Sequence, residues 1–148
     1  MTTTAPTTNG RVIALAHYAA RALLEGVLTR HGATFEQNVT LRAVAVAGDS
    51  LARDRLVADV IGSLKTDESA VHDVIDGLTA TKLLEQDPAQ PSRLRLTEAG
   101  RELYDSAAAE TAEISARLYA GIPAEDLAVA GRVLNLITAR ANAELAEA

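Results

Sequence analysis

The chain has 148 residues, 48% hydrophobic and 23% charged, ordinary proportions for one soluble globular domain with a sizeable core and unlike those of a disordered chain. It contains no Cys, which excludes disulfides, thiolate nucleophiles, thiol-based redox sensing and cysteine zinc sites. Its net charge of −6 argues at first against a nucleic-acid partner, because phosphate binding is driven by Lys and Arg releasing counterions.

Where the charge sits matters more than its sum. Residues 1–41 hold three Arg against two Glu, residues 42–101 hold eight basic against ten acidic side chains, and residues 102–148 hold three Arg against eight acids. The deficit therefore lies mostly in the last third, and the middle is nearly balanced. One Phe, three Tyr and no Trp leave the core to Ala, Leu and Val, a composition that suits closely packed helices.

The opening MTTTAPTTN lacks a basic n-region and an apolar h-region, so residues 1–10 read as a flexible tail and not as a signal peptide, and a cytoplasmic protein is expected. Arg11 to about His31 forms a helix with apolar residues around most of its circumference, stopped by Gly32. Its stretch Val12 to Leu28 is broken by Arg21 and Glu25 and falls short of a membrane span. Phe35 to Ala47 is a second helix. Gly48-Asp49-Ser50 then breaks the chain and offers a capping side chain to a third helix over Leu51 to Leu64.

Residues 66–82, TDESAVHDVIDGLTATK, place Val71, Val74, Ile75 and Leu78 on one helical stripe. The opposite face presents Glu68, Ser69, His72, Asp73 and Asp76, and Lys82 brings positive charge only at the far end. The period then changes. Leu83 to Gln86 reads as a short strand, Asp87 to Ser92 as a turn, and Arg93-Leu94-Arg95-Leu96 alternates with period two, so Leu94 and Leu96 face inward and Arg93 and Arg95 outward. Thr97 caps a long Ala-rich helix to about Tyr119. Gly121-Ile122-Pro123 ends it, and Pro123 with Glu125 and Asp126 opens a last helix marked by Leu127, Ala130, Leu134, Ile137, Ala141 and Leu145.

Three helices, a hairpin and long helices at both ends make a mainly α fold of the winged helix-turn-helix kind. At this point the chain resembles the MarR family of bacterial transcription regulators. Val60 to Leu64, then Ser69-Ala70-Val71 and Leu78, fall at the spacing of that family's helix-turn-helix; LLEQDP matches the start of its wing; LRLTEAGREL, residues 94–103, matches the return strand and next helix; and IPAEDLAVAGRVLNLI resembles its last dimerisation helix. The resemblance implies one MarR-like domain over residues 11–148, with dimerisation helices at 11–34 and 104–148 and a winged helix at 35–103.

It further implies that the helix after Asp67 enters the major groove with Ser69, Ala70, His72 and Asp73 nearest the bases, while Lys65, Arg53, Arg55, Lys82, Arg93 and Arg95 supply phosphate contacts. The expected partners are a pseudo-palindromic double-stranded operator and a second copy of the chain, with recognition helices about 34 Å apart. A small aromatic effector is also implied, for which His17, Tyr18 and Arg21 are the polar candidates. No cofactor is expected, and the chain departs from the family at three places. Asp73 stands where a basic residue is common, Gln90-Pro91-Ser92-Arg93 replaces an Asp-Arg-Arg phrase in a shorter wing, and Lys82 replaces a helix-ending Gly.

An enzyme would need a nucleophile with its base, a phosphate-cradling Gly loop or a metal cluster, and none is legible; no paired-ligand spacing supports a zinc or other metal site. The acid pairs Asp73 with Asp76 and Glu110 with Glu113 read as solvated faces. The rival function is a winged helix that has lost DNA binding and meets a basic protein through the acidic face from Glu68 to Asp76.

Overall fold

The computed structural model describes residues 4–148; of the expected tail, residues 1–3 lie outside the described residues, and 4–9 are exposed and without regular structure. The chain runs α1 (Gly10–Arg30), α2 (Phe35–Val46), β1 (Ser50–Ala52), α3 (Arg53–Leu64), α4 (Glu68–Ala80), β2 (Leu84–Gln86), β3 (Arg93–Leu96), α5 (Glu98–Tyr119) and α6 (Ala124–Glu147). The described residues fall into two compact units, one running up to Glu113 and one from Ile114 to Ala148.

Local chemistry explains most boundaries. The Asn9 side chain accepts from the Val12 N–H at 3.0 Å and starts α1. Thr34 and Gln37 form a reciprocal capping box on α2, with bonds of 3.0 and 3.1 Å. Asp67 caps α4 through the Ala70 N–H at 2.8 Å. One boundary differs from expectation. Ser50 to Ala52 is not the cap and first turn of a helix but a strand, antiparallel to β3 with Ser50 opposite Arg95, Leu51 opposite Leu94 and Ala52 opposite Arg93. Gly48 and Asp49 both adopt positive φ, 88° and 72°, and turn the chain out of α2 toward that edge. The pull is a pairing more than forty residues away, which no local pattern reveals, and α3 consequently starts at Arg53 without a side-chain cap.

The sheet has the order β1-β3-β2, which places β3 in the middle and makes the wing a three-stranded base instead of a free hairpin. Leu94 and Leu96 are buried while Arg93 and Arg95 keep partial exposure, so the inward and outward alternation holds. The core joins Leu41 and Val44 of α2, Leu56, Val57 and Val60 of α3, Val71, Ile75 and Leu78 of α4, and Leu84, Leu94 and Leu96 of the wing. Its buried residues are all aliphatic, as the scarcity of aromatics demands, and partly buried Tyr104 packs against them.

The LTEAG phrase marks where α5 leaves the wing. The Thr97 hydroxyl donates to the Lys82 carbonyl at 2.7 Å and accepts from the Gly100 N–H at 3.0 Å, while the Thr97 N–H donates to the Leu83 carbonyl at 3.2 Å. Gly100 is buried, and a Cβ there would overlap the carbonyl oxygen of Leu83. Lys82, just before, sits in the left-handed region at φ 61°, a conformation that Gly adopts without steric cost.

By length and composition α1 is apolar enough to cross a membrane, contrary to the expectation from its two mid-helix charges. In this unit, however, its end is packed: Val27 and Leu28 are buried, and Arg21 reaches Glu36 of α2 at 3.6 Å.

Two changes test the packing. Gly100→Ala is expected to lower stability by about 3 kcal/mol through overpacking, whereas Gly62→Ala, with open space around its Cβ, should gain about 0.5–1 kcal/mol from helix propensity; urea denaturation measures both. Lys82→Gly should likewise raise the denaturation midpoint, by about 1 kcal/mol of stability, because it relieves a left-handed non-glycine residue.

Candidate nucleic-acid interface

The outer face of α4 is exposed at Glu68, Ser69, Asp73 and Asp76, with His72 half-buried at its middle. At its start, the Ser69 hydroxyl donates to the capping Asp67 carboxylate at 2.9 Å, beside the Ala70 N–H bond. The Ala70 N–H and then Ser69 hold the Asp67 carboxyl below the usual aspartate range. Ala70, expected at the base edges, is half-buried and turned instead toward α2 and α3.

The four arginines expected at phosphates are all engaged. Arg53 donates to Asp76 at 2.9 Å and to His72 Nδ1 at 3.1 Å, and Arg55 pairs with Asp59 at 2.9 Å. On the wing, Arg93 donates to the hydroxyl and the carbonyl of Ser50, each at 3.0 Å, and Arg95 pairs with Glu85 at 2.8 Å. Arg93 thus fastens β3 to β1. Among the described residues Lys65 and Lys82 make no ion pair; the Lys65 ammonium bonds the Gly62 carbonyl, and Lys65 ends α3 at φ 55°. A cleft of about 1000 Å³ opens between α4, the wing and the start of α5, lined by Arg53, Asp76, Lys82, Glu85, Gln86 and Glu98 among others. With Glu102 also in the lining, two cations face four carboxylates, and the cleft is net acidic.

The effector candidates part company. Arg21 lies 4.0 Å over the ring of Phe35, bonds Glu25 at 3.2 Å, and lines a cavity of about 160 Å³ with Thr40, Val60, Leu64, Thr66, Ala70, Val71 and Val74. His17 and Tyr18 are exposed, their rings 6.0 Å apart, and neither lines that cavity. Phe35 and Thr40 were not singled out by sequence, although the lone Phe of the chain and a fully buried Thr carry the signal. Also missed was a tie between α1 and α5. His31 meets Glu110 at 2.8 Å with Arg30 at 3.6 Å, and first His31, then Arg30, hold the Glu110 carboxyl below its usual range.

No family model and no curated relative matches the sequence. Solved structures do. A MarR-family transcriptional regulator from Silicibacter pomeroyi matches with TM-score 0.67 and 24% identity, over 87% of this chain and 86% of that one. The fold is that of the MarR family. CouR from Rhodococcus jostii RHA1, solved with p-coumaroyl-CoA, matches with TM-score 0.74 and 20% identity over 87% of this chain and 90% of its own. BpsR of Bordetella bronchiseptica, whose DNA binding is regulated by 6-hydroxynicotinic acid, matches with TM-score 0.68 and 22% identity over 90% and 98%.

Asp67 offers a pH test of the helix start. Its folded pKa is depressed, so its contribution is present above the unfolded value and is lost as pH falls through the folded one. Asp67→Ala is expected to lower the melting midpoint followed by circular dichroism at neutral pH, with the gap to wild type closing below about pH 4. Asp67→Asn, which keeps an accepting oxygen, should retain most of the midpoint at neutral pH.

Proposed function

We propose that the chain is a homodimeric, sequence-specific DNA-binding transcriptional regulator acting in the cytoplasm, a repressor released by a small ligand. The observation that carries this reading is the MarR-like arrangement itself: an exposed polar α4 beside a wing, in a fold shared with proteins described as transcriptional regulators.

Dimerisation is supported by apolar surface that the single chain leaves open. Leu15, Tyr18 and Leu23 are exposed on α1, and Val129, Val133, Leu134, Leu136, Ile137 and Leu145 on α6, where no residue is buried. Burying such stripes against a second copy follows from the hydrophobic effect and sets two α4 helices for the two halves of a pseudo-palindrome. Ligand control is supported by the small cavity under Arg21 and Phe35, whose cation and ring suit an aromatic acid, and by the acyl-CoA and the hydroxynicotinic acid of CouR and BpsR.

Phosphate affinity in this reading comes by exchange. Arg95 leaves Glu85 for a phosphate, Lys82 adds a free charge, and Arg93 braces the wing. A specific observation favours a second reading: Arg53, Arg55, Arg93 and Arg95 are each engaged with neighbours while Glu68, Asp73 and Asp76 face outward, a surface suited to a basic protein.

A salt-varied titration on the DNA flanking the chain's own gene, with the mass in solution measured alongside, separates the two. A regulator binds as a dimer with log K falling linearly in log salt; Lys82→Ala should cut the slope by about 0.9, and Glu85→Gln should raise affinity about threefold by releasing Arg95. A monomer whose weak DNA binding ignores both changes favours the protein partner.

A further inference from the structure

Arg53 opens α3, and by sequence it is one more phosphate contact. Its bonds in the structure give it other tasks. Its backbone N–H donates to the Ser92 carbonyl at the wing at 3.0 Å. Its guanidinium lies along α4, giving one hydrogen bond to Asp76 at 2.9 Å and facing His72 Nδ1 with two nitrogens, at 3.1 and 3.4 Å. His72 and Asp76 stand four residues apart on one helical face, so a single planar fork reaches both.

A guanidinium has donors and no acceptor. Nδ1 of His72 must therefore accept, and the proton of the neutral ring resides on Nε2. That nitrogen lies 3.5 Å from Glu68 Oε1, beyond ordinary N–H···O bonding distance, so its hydrogen remains free to find another acceptor.

We propose that Arg53 is a positioning residue which sets His72 as a donor through Nε2, and that His72 thereby selects a base edge carrying an acceptor: purine N7, guanine O6 or thymine O4. The proposal rests on the reading of the chain as a DNA-binding regulator. It assigns opposite tasks to neighbouring residues of α4. A carboxylate at Asp73 only accepts and suits an exocyclic amino group, whereas His72 only donates; successive helical positions do not face the same way, so the two address different edges. An imidazole free to flip would accept or donate and discriminate poorly. Pinned by Arg53, it has one sense.

Two measurements test this on the full chain. Nitrogen-15 NMR at a pH where the ring is neutral, with the His72 signals identified by their loss in His72→Ala, reports the tautomer without any DNA. The expected result is the Nε2–H form in wild type and a mixture of forms in Arg53→Ala. An Nδ1–H ring in wild type, or a ring unmoved by Arg53→Ala, overturns the proposal. The second measurement selects from a library of random-sequence duplexes at several salt concentrations.

Arg53→Ala and His72→Ala should each lose about tenfold discrimination at the same base step, the double variant should lose no more than either, and the salt slope of Arg53→Ala should equal that of wild type. If Arg53→Ala instead weakens all sequences alike and lowers the slope by about 0.9, Arg53 is a phosphate contact; the proposal falls and the regulator reading stands. A wild-type chain that enriches no duplex overturns the regulator reading together with the base-selecting role, even where the NMR finds the Nε2–H ring.

Discussion

The close approach of α5 to the Leu83 backbone governs the geometry of the winged unit. Residue 100 has no side chain, so the first turn of α5 rests against the peptide that links α4 to β2. Thr97 completes the join by bonding the Lys82 carbonyl and the Gly100 N–H with one hydroxyl. The end of α4, the start of the wing and the start of α5 are thereby held at one point. The angle between α4 and the wing is set there, beside the aliphatic core of Ile75, Leu78, Leu84 and Leu96. A core without large rings permits such short distances between backbones, at the expense of the spare volume that an aromatic side chain would supply.

Electrostatics follows a second constraint. The winged unit has almost balanced charge, and the structure shows where the balance is struck: Arg53 with Asp76, Arg55 with Asp59, Arg95 with Glu85, Arg101 with Asp49. Exposed pairs of this type contribute little to folding. Their effect would fall on the proposed binding of DNA, since a polyanion must compete for each guanidinium with a carboxylate already in place. In the DNA-binding role proposed above, selectivity would gain from that competition, because only a duplex offering further bonds compensates for the displaced partner. In the same proposed role the acidic surface of α4 would act in the same direction, penalising contact with phosphates in the wrong register.

Much of this was legible in the sequence for reasons that are themselves physical. Long helices announce themselves through repeated apolar spacing, which is why α1, α4, α5 and α6 fall close to their expected limits, and Leu94 and Leu96 were assigned inward by alternation alone. The three-residue strand β1 was not legible, because Ser50 to Ala52 is too short for a period and its partner lies at Arg93 to Arg95. The sequence placed the candidate residues on their elements but not their engagements. Arg93 and Arg95 do stand on the outer side of β3, yet nothing in the string of letters discloses that Ser50 and Glu85 hold them. Among the effector candidates, Arg21 lines a cavity because Phe35 from the next helix lies beneath it, while His17 and Tyr18, one turn earlier, are exposed.

The bracing of the wing has a kinetic side. A hairpin attached only through its own two strands must be ordered when it meets a ligand, and each immobilised residue then subtracts from the binding energy. Here Arg93 grips Ser50 at two atoms, and the turn from Asp87 to Ser92 is closed by its own hydrogen bonds. Ordering has already taken place during folding. Encounter with a partner surface is then close to rigid docking, and discrimination between good and poor partners resides in how long the complex survives more than in how often it forms.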